Sequence, residues 1–390
     1  MDQVKIGIIG CGTISEVYLT NIRDHFHNLD LVAVADLFVD KAKSTAERYG
    51  VPVACSPEEL LQIPEIQLVV NLTIPAVHYT INKQILEAGK HAYCEKPLAV
   101  KTEEAAELVA LAKEKGLMCV SAPDTFLGSG IQECRYLLDS GKIGRPFGFT
   151  ANLYSPGHEL WHPNPGFYYQ KGGGPLFDMG PYYLTALVYL LGPIKKISCF
   201  TTIGRAQRNI LGAMKTTEVP TTYTGIMEFA CGAVGTLYMS LDTWDASLPL
   251  LEIYGTEGTV YASDPNFFQG AVRLFEGHRL QEAVDCIEAP HPAKLISFVV
   301  NQKKLSREVE NEFPHSMDEH LNFRGLGVSD MAQAILNRRP SRLSGDMALH
   351  VVEAMNAFEQ SAKTGTVVEL QTTCVPTAPM DRFWALWEVR

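Results

Sequence analysis

Lys96, within Tyr93-Cys94-Glu95-Lys96-Pro97, has the side chain best suited to moving a proton. It follows a strand predicted over 91–94 and precedes a helix predicted from 102. Ligands of an open α/β sheet bind outside the carboxyl ends of its strands. A lysine that is desolvated or set near another cation gives or takes a proton near neutral pH. Pro97 removes a backbone donor and biases Lys96 towards an extended conformation, and a cis bond between them is compatible with the sequence. Alone, the tripeptide also fits a strand end with a surface lysine and a helix-starting proline. A second group follows Gly172-Gly173-Gly174-Pro175. Asp178 and Tyr182 stand four apart, so a helix starting near 178 projects both from one face. One acceptor and one phenolic donor suit a ligand carrying hydroxyls. A capping aspartate and a core tyrosine fit the same residues.

His158-Glu159-Leu160-Trp161-His162 matches the zinc-protease pattern H-E-x-x-H. That chemistry needs a helix, so that both histidines face one metal. Pro156-Gly157 precede the segment, and Pro163, Pro165 and Gly166 follow it, so a loop is expected and no metal site. Such a loop supplies polar contacts from His158 and His162 and an aromatic wall from Trp161 to a substrate. An ordinary surface loop is the other reading.

These groups require elements to position them. Val4 to Gly10 reads as a buried strand, and Gly10-Cys11-Gly12-Thr13-Ile14-Ser15 leads into a helix from about 16. Gly10 permits the tight turn, Gly12 admits a pyrophosphate to the backbone, and Ser15 keeps helix and strand close. The amides of Thr13 and Ile14, at the helix start, then face the phosphates. Asp36 ends the next strand (31–35), where an acidic residue bonds ribose hydroxyls; this favours NAD over NADP. Asp36 also suits a helix cap before 39–49. Further strands are predicted over 51–54 (an edge, from Pro52), 66–72, 91–94 and 117–122, with helices between them. Thr73, Pro75 and His78 top the strand over 66–72 beside Glu95 and Lys96, and are expected to line the cofactor; His78 also fits a simple helix-start histidine. The result is an α/β fold whose amino-terminal part is a doubly wound parallel (Rossmann) sheet.

After 122 the rhythm changes. One helix is predicted over 131–140, then strands over 147–154, 194–203, 222–229, 233–241, 250–254 and 258–262, and a last helix over 346–363. This describes a large, mostly antiparallel sheet with helices on one face and the other open. The expected domains are 1–122 for the dinucleotide and 123–390 for substrate binding and self-assembly, the open face pairing in a homodimer or homotetramer.

At 390 residues, with 46% hydrophobic and 20% charged residues, the chain has the composition of a globular protein of two domains. A net charge of -11, with no Lys/Arg-rich run, argues against a nucleic-acid surface. No apolar run approaches a membrane span, and Met1-Asp2-Gln3 opens without a leader pattern. The nine cysteines, Cys286 among them, are scattered and form no C-x-x-C. A cytoplasmic protein without disulfides is expected.

Together, Gly10-x-Gly12, Glu95-Lys96-Pro97 and Asp178-Met179-Gly180, in this order and spacing, resemble the glucose–fructose oxidoreductase / inositol dehydrogenase / MocA family. The resemblance covers nearly the whole chain. It implies a nucleotide-binding domain followed by an α/β domain with a large open sheet, NAD or NADP as cofactor, and oxidation or reduction of a secondary alcohol of a sugar or cyclitol. It also implies Lys96 as the catalytic lysine and Asp178 as the substrate-site aspartate. Many members carry histidine four residues after that aspartate, where this chain has Tyr182. Lys96 alone, Tyr182, or His158 or His162 from the preceding loop then completes the proton path. The family also contains non-catalytic sensors, such as the yeast galactose repressor, and glycosidases that recycle bound NAD.

Overall fold

The computed structural model describes residues 2–285, 292, 296, 306–310 and 322–381. Met1 and Cys286 lie outside the described residues. The chain forms two compact units. The first comprises Met1–Leu127, His320–Ala357 and Leu370–Arg390; the second comprises Gly128–Glu319 and Phe358–Glu369.

The first unit alternates β1 (Val4–Ile9), α1 (Ser15–Asp24), β2 (Leu29–Ala35), α2 (Val39–Tyr49), β3 (Val53–Cys55), α3 (Pro57–Leu61), β4 (Leu68–Asn71), α4 (His78–Glu87), β5 (His91–Cys94), α5 (Thr102–Glu114) and β6 (Cys119–Ser121). Among the described residues its sheet has the order β3-β2-β1-β4-β5-β6, every pair parallel. This is the doubly wound arrangement predicted above. Ile6, Ile8, Leu68, Val69 and Val70 are wholly buried, because helices cover both faces of a parallel sheet. β3 is an edge strand, as Pro52 implied. Ser56 and Glu59 form a reciprocal capping box that starts α3.

The second unit contains α6 (Ser129–Asp139), β7 (Pro146–Tyr154), α7 (Pro175–Leu191), β8 (Ile194–Thr202), β9 (Gln207–Ile210), β10 (Ala213–Thr216), β11 (Thr222–Phe229), β12 (Val234–Ser240), β13 (Leu251–Gly255), β14 (Gly258–Ala262), β15 (Arg273–Glu276), α8 (Gly277–Asp285) and β16 (Arg307–Glu308). α9 (Leu326–Asn337) lies in the first unit, and β17 (Val368–Glu369) in the second. The long α10 (Gly345–Thr364) gives its residues up to Ala357 to the first unit and the rest to the second. The described strands form a sheet β16-β15-β14-β13-β7-β12-β11-β8-β17, antiparallel except for β7–β12. β9 and β10 make a separate hairpin, which the sequence reading missed along with β15 and α9.

One face of the large sheet is covered. α7 packs on β7, β11 and β12, and the Phe358 ring lies against Gly225 of β11. The register puts Ser198, Ile226, Thr236, Thr150, Glu252 and Tyr261 in one row across the other face. Phe200, Ile226 and Val234 are exposed there among threonines. The outward set therefore mixes polar with apolar side chains.

Residues 322–329 are stitched into the first unit by buried polar side chains. Asn21 donates to the carbonyls of Asn322 (2.6 Å) and Arg324 (2.8 Å), and Asn28 donates to that of Ser329 (2.9 Å). The Asp124 carboxylate accepts from the amides of Gly325 and Gly327, each at 3.0 Å, beside the start of α9. Burial pushes the Asp124 carboxyl up from 3.8 to about 6, helped by nearby Glu95 and opposed by the two amides and Arg324.

This carboxyl binds its proton more tightly in the folded protein than in the unfolded chain. Its contribution to stability is therefore full below its unfolded pKa of 3.8 and is lost as pH rises towards about 6. A tenfold change in proton affinity is worth about 1.4 kcal/mol, so the swing is on the order of 3 kcal/mol. Asp124→Asn keeps an oxygen for both amides and lacks this slope. Denaturant titrations should show the native protein losing stability relative to the variant across this window and running parallel to it at higher pH. A gap that stays constant from pH 4 to 8 would refute the assignment.

Candidate functional site

In the first unit, the predicted ligand-binding residues gather at the carboxyl ends of the strands. Gly10 has φ of +105°, and a Cβ there would press on the Leu72 carbonyl group and the Thr73 nitrogen. A side chain is excluded by both backbone angle and space. A Cβ on Gly12 would meet no protein atom within 4 Å, so the fold itself does not require glycine there. Thr13 is exposed and Ile14 half-buried at the entrance to α1, and the Ser15 hydroxyl donates to the Gly12 carbonyl at 2.7 Å. Asp36, directly after β2, accepts from the amides of Cys11 (2.9 Å) and Phe38 (3.0 Å). Lys41 lies 3.9 Å from the same carboxylate.

The Thr73 amide and hydroxyl both donate to the Asn71 side chain, and Pro75 is exposed. His78, expected to line the cofactor, does something else. It is fully buried, with Nδ1 2.6 Å from the Pro97 carbonyl and Nε2 3.0 Å from that of Thr73. Burial pushes this imidazole below its ordinary range, against the pull of the two carbonyls. Its ring pegs the loop after β4 to the loop after β5 and offers no atom to a ligand. Glu95 is likewise internal, accepting from the Tyr18 hydroxyl (2.8 Å) and the Lys96 amide (3.0 Å). Lys96 is half-buried, and its bond to Pro97 is cis.

In the second unit, α7 starts at Pro175, three residues earlier than predicted, so Asp178 stands in its first turn and Tyr182 one turn on. Tyr182 is buried and Asp178 partly exposed. His158–Leu160 is a single 3-10 turn, not a helix. The structure brings His158 to Asp178, Nε2 to Oδ2 at 3.3 Å. The edges and faces of Trp161 (5.1 Å) and Tyr168 (4.3 Å) enclose the His158 ring. His162 is turned elsewhere, accepting at Nδ1 from the Asn164 amide (3.0 Å), and Trp161 is 64% exposed. Among the described residues, no cluster of three or more His, Cys, Asp or Glu is arranged to hold a metal ion, and no helix is long and apolar enough to cross a membrane.

The sequence reading missed what holds the 158–169 loop. Arg208 of β9, almost fully buried, donates to Glu159 (2.7 Å), to the Tyr169 hydroxyl (3.2 Å) and to Asp242. Burial raises the Glu159 carboxyl, but bonds from Tyr169, its own backbone and Arg208 together bring it below its ordinary range. A lone Arg208, between two predicted strands in a stretch given no element, carries no sequence signal for this, because its partners are 34 and 49 residues away.

Residues 4–122 match the family model described as an oxidoreductase family with an NAD-binding Rossmann fold, and 131–261 match the carboxyl-terminal domain model of the same family. This chain belongs to the Gfo/Idh/MocA oxidoreductase family. It is 28% identical over 270 residues to the trans-1,2-dihydrobenzene-1,2-diol dehydrogenase of Bos taurus, spanning 67% of this chain and 75% of the relative. It is 30% identical over 193 residues to the D-glucoside 3-dehydrogenase of Escherichia coli (strain K12), spanning 48% of this chain and about half (54%) of the relative. Levoglucosan dehydrogenase in its apo form superimposes with a TM-score of 0.79 at 19% identity, covering 96% of this chain and 100% of that one. That likeness shows the shared fold.

As a Gfo/Idh/MocA member, the chain is an NAD-binding oxidoreductase. Its own residues fit that cofactor. Clearance around Gly12 leaves room for a ligand that the fold does not fill. The two Asp36 oxygens, each bonded once to backbone, retain acceptor capacity for ribose hydroxyls.

NAD should therefore bind much more tightly than NADP, whose extra phosphate meets the Asp36 carboxylate. Asp36→Ser should weaken NAD binding and narrow the gap, each lost bond to a charged acceptor costing about 1.5–3 kcal/mol. Calorimetric titration of the native protein giving equal affinity for both cofactors would sink the role of Asp36.

Proposed function

We propose that the protein is an NAD-dependent dehydrogenase that moves a hydride between nicotinamide and a secondary alcohol or ketone of a sugar, glycoside or cyclitol. The observation that carries this reading is a half-buried lysine at the carboxyl end of β5, in the unit that holds the dinucleotide cradle. The names of relatives support the substrate class, among them D-glucoside 3-dehydrogenase and the myo-inositol 2-dehydrogenase of Thermotoga maritima.

When bound, NAD supplies the hydride acceptor. Gly10, Gly12, Thr13, Ile14 and Asp36 hold it, with Thr73, Pro75 and Lys96 along its edge and the internal Glu95 supporting Lys96 through its amide. Lys96 takes the hydroxyl proton at Nζ during oxidation and returns it during reduction. Asp178 orients the substrate by accepting from a second hydroxyl, one that does not give its proton to Lys96; Tyr182 shares that hydrogen-bond network, and His158 and Trp161 line the substrate. The first unit, which includes 320–357 and 370–390 as well as the amino-terminal residues, thus serves the cofactor, and the second serves substrate and self-assembly.

Incubation with NAD and a panel of hexoses, glycosides and inositols should produce reduced-nicotinamide absorbance. Lys96→Met should cut the rate about 10²–10⁴-fold, the usual worth of general acid–base catalysis. NAD affinity should change little. Near-full activity of Lys96→Met would remove Lys96 from its role.

The proposed self-association uses the open face bearing Phe200, Ile226 and Val234. Light scattering at micromolar concentration should give a dimer or tetramer mass, and Phe200→Asp combined with Ile226→Asp should reduce it to a monomer. A monomeric native protein would refute this part.

A further inference from the structure

His158 is 7% exposed, and its two ring nitrogens differ. Nε2 faces Asp178 at 3.3 Å, while Nδ1 is buried with no hydrogen-bond partner. A carboxylate only accepts, so the ring proton belongs on Nε2, and Nδ1 keeps a lone pair that nothing satisfies. A buried imidazole left this way is held by its surroundings. Its own amide donates to the Tyr169 hydroxyl at 3.0 Å. That hydroxyl donates to Glu159 and accepts from Arg208. The Arg208 guanidinium lies 4.2 Å over the Tyr169 ring and also donates to the Leu241 carbonyl (3.1 Å) and to Asp242. Asp242 in turn accepts from Thr221 and from the Gly204 amide (3.0 Å), and Arg205 bonds it at 3.2 Å. A chain of polar groups thus runs from Asp242 through Arg208 and the Tyr169 hydroxyl to the His158 amide, and from the His158 ring to Asp178, all within the second unit.

We propose that this chain is a bracket that fixes Asp178 for substrate binding, with His158 as its direct positioning residue and Arg208 as a remote one. The proposal rests on the reading of Asp178 as the carboxylate that accepts from a substrate hydroxyl. The Nε2 proton of His158 orients the carboxylate and holds it as an acceptor. The bidentate span of Arg208 between Glu159 and Asp242 sets where the loop places His158. A lysine preserves the charge but not the planar fork that reaches both carboxylates. The segment that mimics a zinc motif therefore does its work through one histidine, with its glutamate as the anchor point.

The test uses the full chain with ¹⁵N-labelled histidine. Long-range ¹H–¹⁵N spectra, assigned by the signal missing in His158→Gln, should show His158 as the Nε2–H tautomer. That signature should shift in Asp178→Asn and in Arg208→Lys. With a substrate found in the sugar panel, His158→Leu should lower kcat/KM about 10²-fold, mainly through KM. His158→Gln, whose amide can donate at the same place, should recover to within about tenfold of the native value, and Arg208→Lys should raise KM with kcat nearly kept. An Nδ1–H tautomer, or an Arg208→Lys protein with native spectrum and native KM, would overturn the bracket. Should Arg208→Lys fail to fold, Glu159→Gln weakens the same anchor and is judged by the same two readouts. If no sugar or cyclitol turns over, the dehydrogenase reading falls, while the tautomer spectra still decide the bracket.

Discussion

A parallel strand that ends inside a sheet leaves backbone amides in the following loop with no ladder to join, and a buried amide must find an acceptor. The first unit meets this constraint with one polar side chain at nearly every strand end. Asp36 after β2 takes the Cys11 and Phe38 amides, and Asn71 at the end of β4 takes that of Thr73. Glu95 after β5 takes the Lys96 amide, and Asp124 after β6 takes those of Gly325 and Gly327. The glycine turn, the lysine loop and the return of residues 322–329 all depend on these acceptors. Because ligands of such sheets bind at the same strand ends, the groups that satisfy the backbone also shape the cofactor cradle.

This explains what the sequence made legible. Strand–glycine–helix order and apolar runs identify a doubly wound sheet, because both-face burial forces unbroken hydrophobic strands such as Leu68–Val70. Alternation identifies the second sheet for the same reason, applied to a single covered face. Element ends moved by one to three residues. α7 began at Pro175 because proline is tolerated at the first helical position, where its missing amide costs nothing.

What stayed hidden depended on long-range partners. His78 stood at a helix start beside the cofactor loops, a place equally suited to lining a ligand or pegging two loops. Only the positions of the Thr73 and Pro97 carbonyls decide between them. Arg208, Glu159 and Asp242 are ordinary charged residues in sequence, and their joint burial is a tertiary fact. The H-E-x-x-H segment was legible in the negative sense: prolines and glycines around it foretold a non-helical turn. They did not say that His158 and His162 would part, one towards Asp178 and the other towards the Asn164 amide.

The first unit is discontinuous in sequence, and this has a consequence for its birth on the ribosome. Asp124 is made 201 residues before Gly325, and Asn21 301 residues before Asn322. At roughly 5–20 residues per second of synthesis, Asp124 waits about 10–40 s for its amide partners. During that interval the six-stranded sheet has emerged without α9, while the entire second unit up to Glu319 is being translated. The nascent chain therefore presents a nearly complete nucleotide fold with one flank bare. Only late translation closes it, and a message truncated before codon 320 would yield a cradle without its final seal.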